Sequence, residues 1–356
     1  MKSVNLLKKL SDAFGVSGFE DDIRKIVKAE LEDVGKITYD GIGSIICEKK
    51  GSKKGPKVML AAHIDELGLL VQHITDRGLI KIIPLGSWSP QVIYGQKFLI
   101  KTRKSLIPAV ISTLPSHFWR NNKDKLVQVD EMTLDVGAKS LEDAKTRFGI
   151  ELGNPVVPAV KCEEIAGGEY LLGKGFDDRA GTAEMVECLK ALKDEDLPNR
   201  LFGVGTCQEE IGIRGAFTTA RIVKPDVCIV LEGSPADDAI PMKPEAIQGA
   251  LGRGPQIRYF DPSMIANPKL GDFIKKIAED NNIPYQIAVR TGGATDAAII
   301  HKSNSGIPSI VIGIAVRYAH APYGMISVDD FNNTMKLVIE VIKKLDAKAI
   351  KSLTDC

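Results

Sequence analysis

Four stretches of this 356-residue chain are built alike: an apolar run of strand length leads into a histidine or an acid. Lys57-Val58-Met59-Leu60-Ala61-Ala62 runs into His63-Ile64-Asp65-Glu66. Leu201-Phe202 passes through Gly203-Val204-Gly205 into Cys207-Gln208-Glu209-Glu210. Val227-Cys228-Ile229-Val230-Leu231 ends at Glu232, and the run 309–314 continues toward His320. Nearly continuous apolar runs of this length mark strands buried on both faces, which only a sheet covered by helices can accommodate. Between them, helical spacing recurs over 182–192, 214–222, 268–281 and 328–345, so the chain is predicted to be α/β. Open α/β sheets place their sites outside the carboxyl ends of the strands. His63, the Glu209/Glu210 pair, Glu232 and His320 are therefore expected in one crevice, joined by Asp177, which precedes a helix.

Composition narrows the partners. Lys and Arg total 47 against 46 Asp and Glu, a formal charge of +1, so no global field draws the chain to nucleic acid or an anionic membrane. With 44% hydrophobic and 26% charged residues, the composition is that of a globular protein. Six cysteines, Cys47, Cys162, Cys188, Cys207, Cys228 and Cys356, show no Cys-x-x-Cys spacing and several lie in apolar runs, as reduced thiols of a cytoplasmic protein do. The first ten residues carry helical periodicity with too short an apolar stretch for a signal peptide, and no segment approaches the roughly 20 apolar residues of a membrane span.

Two helices are predicted over 4–14 and 20–34, then a hairpin over 37–47 turning at Gly41-Ile42-Gly43. From 67 to 164 the pattern changes to short β-rich runs (69–74, 79–83, 96–102, 109–113) separated by Gly and Pro turns. This is read as a small β-domain, 67–164, inserted into a discontinuous domain of 1–66 and 165–356; the alternative is one continuous large sheet. A polar, basic stretch at 116–125 reads as a mobile loop.

Taken singly, each polar residue has an ordinary explanation. A lone buried His is most often a satisfied core residue, an adjacent Glu pair a solvated loop start, and an Asp ahead of a helix a cap. Capping suffices for one of Asp177 and Asp178. Convergence changes the reading, because two imidazoles and three carboxylates, with one further carboxylate free, exceed the roughly four ligands of a single metal. They suit two metals sharing a carboxylate, about 3.5–4 Å apart with a bridging water. Glu209 and Glu210 point to opposite faces of an extended segment, so a bend must separate their tasks: one on a metal, the other a general base. His63 and Asp65 share a face if the strand continues, and a carboxylate there can fix the imidazole tautomer. The Gly-rich turn Thr291-Gly292-Gly293-Ala294-Thr295-Asp296 lacks the P-loop lysine and the GxGxxG spacing of a phosphate cradle.

Ala62-His63-Ile64-Asp65-Glu66-Leu67-Gly68, Gly175-Phe176-Asp177-Asp178-Arg179-Ala180-Gly181, Gln208-Glu209-Glu210-Ile211-Gly212-Ile213-Arg214-Gly215-Ala216 and Arg317-Tyr318-Ala319-His320-Ala321-Pro322 resemble, in order and spacing, the tetrahedral (TET) aminopeptidases, co-catalytic metallopeptidases that include glutamyl and deblocking aminopeptidases. Phe14-Gly15-Val16-Ser17-Gly18-Phe19-Glu20 and Asp135-Val136-Gly137-Ala138 extend the match. The resemblance implies a mixed-sheet α/β/α metallopeptidase domain (phosphorylase/hydrolase-like) with an inserted PDZ-like β-domain. It implies His63, Asp177 and Glu232 on one metal, and Asp177, Glu210 and His320 on the other, with Asp177 bridging. Glu209 becomes the general base and proton donor, and Asp65 orients His63. The ions are two divalent metals per subunit, zinc foremost, with cobalt or manganese as alternatives. The substrates implied are short peptides, and the implied assembly is a hollow tetrahedral dodecamer of six dimers, each joined through the β-domain. The loop around His117 loosely resembles a segment reaching a neighbouring subunit's site. Glu232 stands where many members carry Asp, which keeps carboxypeptidase or acyl-amino-acid deacylase activity as a rival, and Ala294 replaces a more usual Gly. A catalytically silent, metal-stabilised assembly subunit is a further alternative; glycoside hydrolysis by paired carboxylates would leave both imidazoles without a task.

Overall fold

A computed structural model describes residues 2–50, 55–113, 116–118, 126–239, 243 and 246–355. In it the four apolar runs are adjacent parallel strands in the order Arg200–Thr206, Lys57–His63, Val227–Pro235, Ser309–Val316. All eight residues of Ser309–Val316 are buried, as the apolar run after Ser309 requires. Antiparallel strands extend both edges. The hairpin Gly35–Tyr39 and Ile45–Lys49 adds beside Arg200–Thr206, and Gln256–Asp261 adds beside Ser309–Val316. With Met264–Ile265 and Gln286–Val289 beyond, the sheet is nine-stranded and mixed. Helix Phe176–Ala191 lies across the four parallel strands and is flanked by Lys2–Asp12, Asp21–Leu31 and Val328–Lys344; Arg214–Val223 and Ala297–Ile300 cover the other side.

Three local expectations shift. The strand read as ending before Glu232 continues to Pro235, with Glu232 paired to Gly313 and Ser234 to Ala315, because Gly233 and Ser234 are small enough to stay in the ladder. The strand Lys57–His63 stops at His63, so Asp65 lies beyond it rather than on its face. The helix read from 182 begins at Phe176, but Asp177 (φ −86°, ψ 100°) and Asp178 (φ −123°, ψ 45°) depart from helical geometry, so the regular coil starts after them.

Between residues 68 and 158, the strands Gly68–Ile74, Ile80–Leu85, Lys97–Lys101, Leu106–Ile111, Thr133–Asp135 and Pro155–Pro158 close into a barrel with a core of its own around Leu69, Ile82, Phe98, Ile100 and Leu134. Among the described residues these strands pair with one another and not with the large sheet. Of the polar stretch 116–125, Ser116–Phe118 forms a 3₁₀ turn and the rest lies outside the described residues. No helix among the described residues is long and apolar enough to cross a membrane. Cys47, Cys162, Cys188, Cys207 and Cys228 are free and buried, and burial pushes the Cys47 and Cys162 thiols up to about 11, far from the thiolate range.

The barrel is joined firmly to the sheet domain. Phe14, Val16 and Val157 form an apolar seam with Leu85 and Leu99, and Lys101 Nζ sits 2.6 Å from Asp22 and 4.6 Å from the Phe14 ring centre. Where the chain crosses into the barrel, buried Glu66 accepts from Lys174 Nζ at 2.7 and 2.9 Å and from Arg179 at 3.2 Å. Removing one partner of a buried ion group leaves the others uncompensated, at a cost of about 3–5 kcal/mol. Glu66→Ala is therefore expected to lower the unfolding free energy by about that amount in urea titration; a loss below about 1 kcal/mol would show that Glu66 does not balance the two cations.

Candidate active site

Because the four central strands are parallel, their carboxyl ends share one edge, and the polar residues following each run meet there. His63 is the last residue of its strand. Its Nε2 lies 3.0 Å from Asp177 Oδ1 and 3.5 Å from Glu232 Oε1. The other oxygen of Asp177, Oδ2, lies 3.4 Å from His320 Nε2, which is 3.8 Å from Glu210 Oε2. Asp177 thus stands between two imidazoles, one oxygen toward each. Gly233 permits this: a Cβ there would stand 2.5 Å from Phe176 O and 2.7 Å from Asp177 Cα, so only glycine lets the Asp177 backbone cross the strand so closely.

The neighbouring acid behaves differently. Asp178 Oδ2 accepts the His63 N–H at 3.0 Å and Oδ1 accepts the Gly181 N–H at 2.9 Å, so it caps the regular helix and ties it to the His63 strand. Asp178 also stands with His63 and Glu232 in a group whose ligand atoms lie within 4.8 Å of one another, as do His63, Asp177 and Glu210. With both oxygens already accepting backbone N–H groups, Asp178 is the less available donor.

The bend required between strand and acids is at Gln208, whose φ is +57°. Beyond it the chain turns, with Gly212 N–H donating to Glu209 O at 3.0 Å. Asp65 holds this turn: it accepts from Glu209 N at 3.0 Å, Glu210 N at 3.2 Å and Ser17 Oγ at 2.6 Å. Its Oδ1 also lies 3.4 Å from His63 Nδ1, so Asp65 still addresses the imidazole despite lying past the strand end. Glu209 and Glu210 face a cleft of about 830 Å³ whose far wall carries Arg258, Arg290 and the Gly292–Thr295 loop. The Gly-rich turn is therefore a cleft wall, and Asp296 at its end is buried, accepting from Thr206 Oγ1.

Burial pushes Glu210 up to about 8, reinforced by Asp177, and Glu232 up to about 7 for the same two reasons; Glu209 is raised by burial as well. Burial also opposes ionisation of Asp177, but hydrogen bonds from His320 and His63 overcome it and hold that carboxyl far below its usual range. The contact with Asp177 lifts His320 to about 9. Burial works against charge on His63, yet Asp177, Asp65 and Glu232 raise it well above its ordinary value. Protons on imidazoles and carboxyls here hold together a cluster that lacks enough positive charge. Glu210 Oε1 is buried with no hydrogen-bond partner, another mark of a donor awaiting a cation. Imidazole nitrogen with carboxylate oxygen is a donor set for a divalent first-row metal, and the residues gathered around His63 fit such an ion.

Sequence reasoning missed Ser17, Ser87, Arg258 and Asp296. Ser17 and Ser87 act on the site through an Asp65 contact and a backbone carbonyl, neither of which leaves a local pattern, whereas Asp296 was visible only as the end of a polar turn.

The chain matches the family described as M42 glutamyl aminopeptidase over residues 43–337. The glutamyl aminopeptidase of Lactococcus lactis subsp. cremoris is 31% identical over 358 residues, covering 99% of each chain. A TET aminopeptidase from a marine sediment archaeon, Thaumarchaeota archaeon SCGC AB-539-E09, has a fold matching with a TM-score of 0.96 at 38% identity over 99% of both chains. The Pyrococcus horikoshii TET1 peptidase, which can assemble into a tetrahedron or a large octahedral shell, matches with a TM-score of 0.87 at 28% identity over 96% of this chain and 100% of that one. Family and relatives agree along almost the whole length, and the chain belongs to the M42 peptidase family of aminopeptidases, TET aminopeptidases among them.

Proposed function

We propose that this chain is a two-metal aminopeptidase that removes N-terminal residues from short peptides in the cytoplasm. The observation that carries this reading is Asp177, whose two oxygens face His63 and His320 separately. His63, Asp177 and Glu232 would hold one ion, and Asp177, Glu210 and His320 the other. Two divalent ions bound there supply an activated water and polarise the scissile carbonyl. Asp65 keeps the proton of His63 on Nδ1, so that Nε2 is free to coordinate. Glu209, on the same turn as Glu210 but with no ligand role, takes the proton of the attacking water onto its carboxylate and returns it to the leaving amine. Burial raises Glu209 toward the range where it can do both. Among the ions, zinc suits the donors first, then cobalt or manganese.

The likeness to peptidases that form a dodecamer or a tetrahedron supports a dodecamer of six dimers, with the inserted unit 67–164 as the assembly element between the segments 1–66 and 165–356 of the catalytic domain. Glu232 supports one rival, a carboxypeptidase or acyl-amino-acid deacylase on the same metal core, although its Oε1 reaches within 3.5 Å of His63 Nε2.

Aminoacyl-p-nitroanilides, each with and without an N-acetyl block, discriminate these readings. Cleavage of the free-amine set alone, abolished by EDTA and restored by zinc or cobalt, is expected; release of p-nitroaniline from neither set, with two ions bound per chain, would move the assignment to the carboxypeptidase or deacylase. Glu209→Gln is expected to lower kcat by about 10²–10⁴-fold while elemental analysis still finds two ions per chain. Undiminished turnover would remove Glu209 from the role of base. Metal must displace protons from His320, poised at about 9, and from Glu210 and Glu232, at about 8 and 7. Uptake should therefore release protons and tighten as pH rises from 6 to 9. Titration calorimetry in buffers of different ionisation enthalpy measures this, and pH-independent affinity would contradict it.

A further inference from the structure

His320 is the least supported of the site's side chains. It is 40% exposed, so packing does not fix its ring, and its backbone is in the left-handed region at φ +60°. Apart from the carboxylates of Asp177 and Glu210, it meets the backbone carbonyl of Ser87, 3.1 Å from Nδ1. That carbonyl belongs to the barrel, in the turn following strand Ile80–Leu85, 233 residues away in the chain. An Nδ1–H donating to Ser87 O leaves Nε2 with its lone pair toward Asp177 and Glu210, the orientation a metal ligand needs.

The turn is held in place by the barrel. Gly86 has φ +87°, and a Cβ there would stand 2.0 Å from Leu67 Cδ2 and 3.4 Å from Glu210 Cβ, so the turn lies against the Glu210 side chain as well. On its other side Trp88 Nε1 donates to Gly68 O at 2.8 Å, and the Trp88 ring meets Phe98 of the barrel core edge to face at 6.2 Å. His63, by contrast, takes its orienting contact from Asp65, in the segment ahead of the barrel. The two imidazoles of the site are thus oriented by different parts of the fold.

We infer that the Gly86-Ser87-Trp88 turn of the barrel is a positioning element for the His320 half of the site, so that barrel placement sets the affinity of one of the two ions and leaves the other alone. This rests on the two-metal reading. It gives the inserted unit a part in the active site of its own subunit, separate from any role in assembly.

Zinc titration of the chelator-treated full chain by calorimetry, with cobalt absorption spectra alongside, tests it. The wild type is expected to bind two ions. Gly86→Ala is expected to keep one at wild-type affinity and to weaken the second by about 10–100-fold, the usual effect of losing an outer-shell partner. His320→Ala supplies the reference for a lost half-site. Gly95→Ala, at another positive-φ barrel turn (φ +76°), is expected to bind two ions unchanged, which separates turn position from barrel stability. Should Gly86→Ala fail to fold, Trp88→Phe removes the bond to Gly68 O while keeping a ring, and is expected to weaken the same ion several-fold. Two ions at wild-type affinity in a folded turn variant, or equal weakening of both, would overturn the inference. A wild type that binds only one ion would instead overturn the two-metal reading on which it rests.

Discussion

Asp65 is buried beneath the site and binds it from several directions at once. Its carboxylate faces His63 Nδ1 and accepts from Ser17 Oγ and from the N–H groups of Glu209 and Glu210. Hydrogen bonds to an ionised acceptor contribute about 1.5–3 kcal/mol each, and here they link an N-terminal loop, the first parallel strand and the turn after the second. Burial raises the cost of its charge, but the contacts with His63, Ser17 and Glu209 outweigh it and keep the carboxyl below its usual range. Without that charge the two Glu residues would have no fixed positions relative to the imidazole. The roles proposed for the two, proton acceptance by Glu209 and cation binding by Glu210, both depend on that relation.

Asp177 and Asp178 show how adjacent identical side chains come to differ. The interrupted first turn of helix Phe176–Ala191 sends Asp178 back onto backbone N–H groups and Asp177 outward between two imidazoles. The division depends on Gly233, across which the Asp177 backbone passes. A side chain there would push Asp177 off the midline, and neither imidazole would keep its oxygen. Strand packing, not the acid's own chemistry, therefore makes Asp177 the shared group.

The parallel core was legible in the sequence because strands buried on both faces must be apolar throughout, and their terminal polar residues were legible because they interrupt that rule. His63, Asp177, Glu209, Glu210, Glu232 and His320 accordingly come together at one sheet edge. The strand Gln256–Asp261 escaped notice because Arg258 breaks its apolar run; Ser234 Oγ at 2.7 Å, on a distant strand, and Asp261 at 3.4 Å meet that charge in the fold. Strand ends were similarly hidden: Glu232 looks like a terminus in sequence but remains in the ladder, paired with Gly313, and the strand runs on to Pro235 opposite Val316. Least legible was the Ser87 carbonyl, a group every residue possesses.

The charge balance of the site explains why such a cluster can fold at all. Asp177, Glu209, Glu210 and Glu232 are all partly or wholly withdrawn from water, where an uncompensated carboxylate costs several kcal/mol. Proton uptake by His63, His320 and the raised glutamates lowers that cost, and on the proposed reading divalent ions would displace the same protons. Lys174 and Arg179 cannot serve, since both are committed to Glu66 and to backbone carbonyls, and of the arginines in the cleft wall Arg258 is paired with Asp261 and Arg290 with Asp237. The fold thus neutralises the seam between barrel and sheet with its own cations and leaves the cleft acids short of positive charge. That deficit lies where two imidazoles already face a shared carboxylate, and it is this pairing of unmet charge with nitrogen donors that distinguishes a metal site from a patch of buried acids.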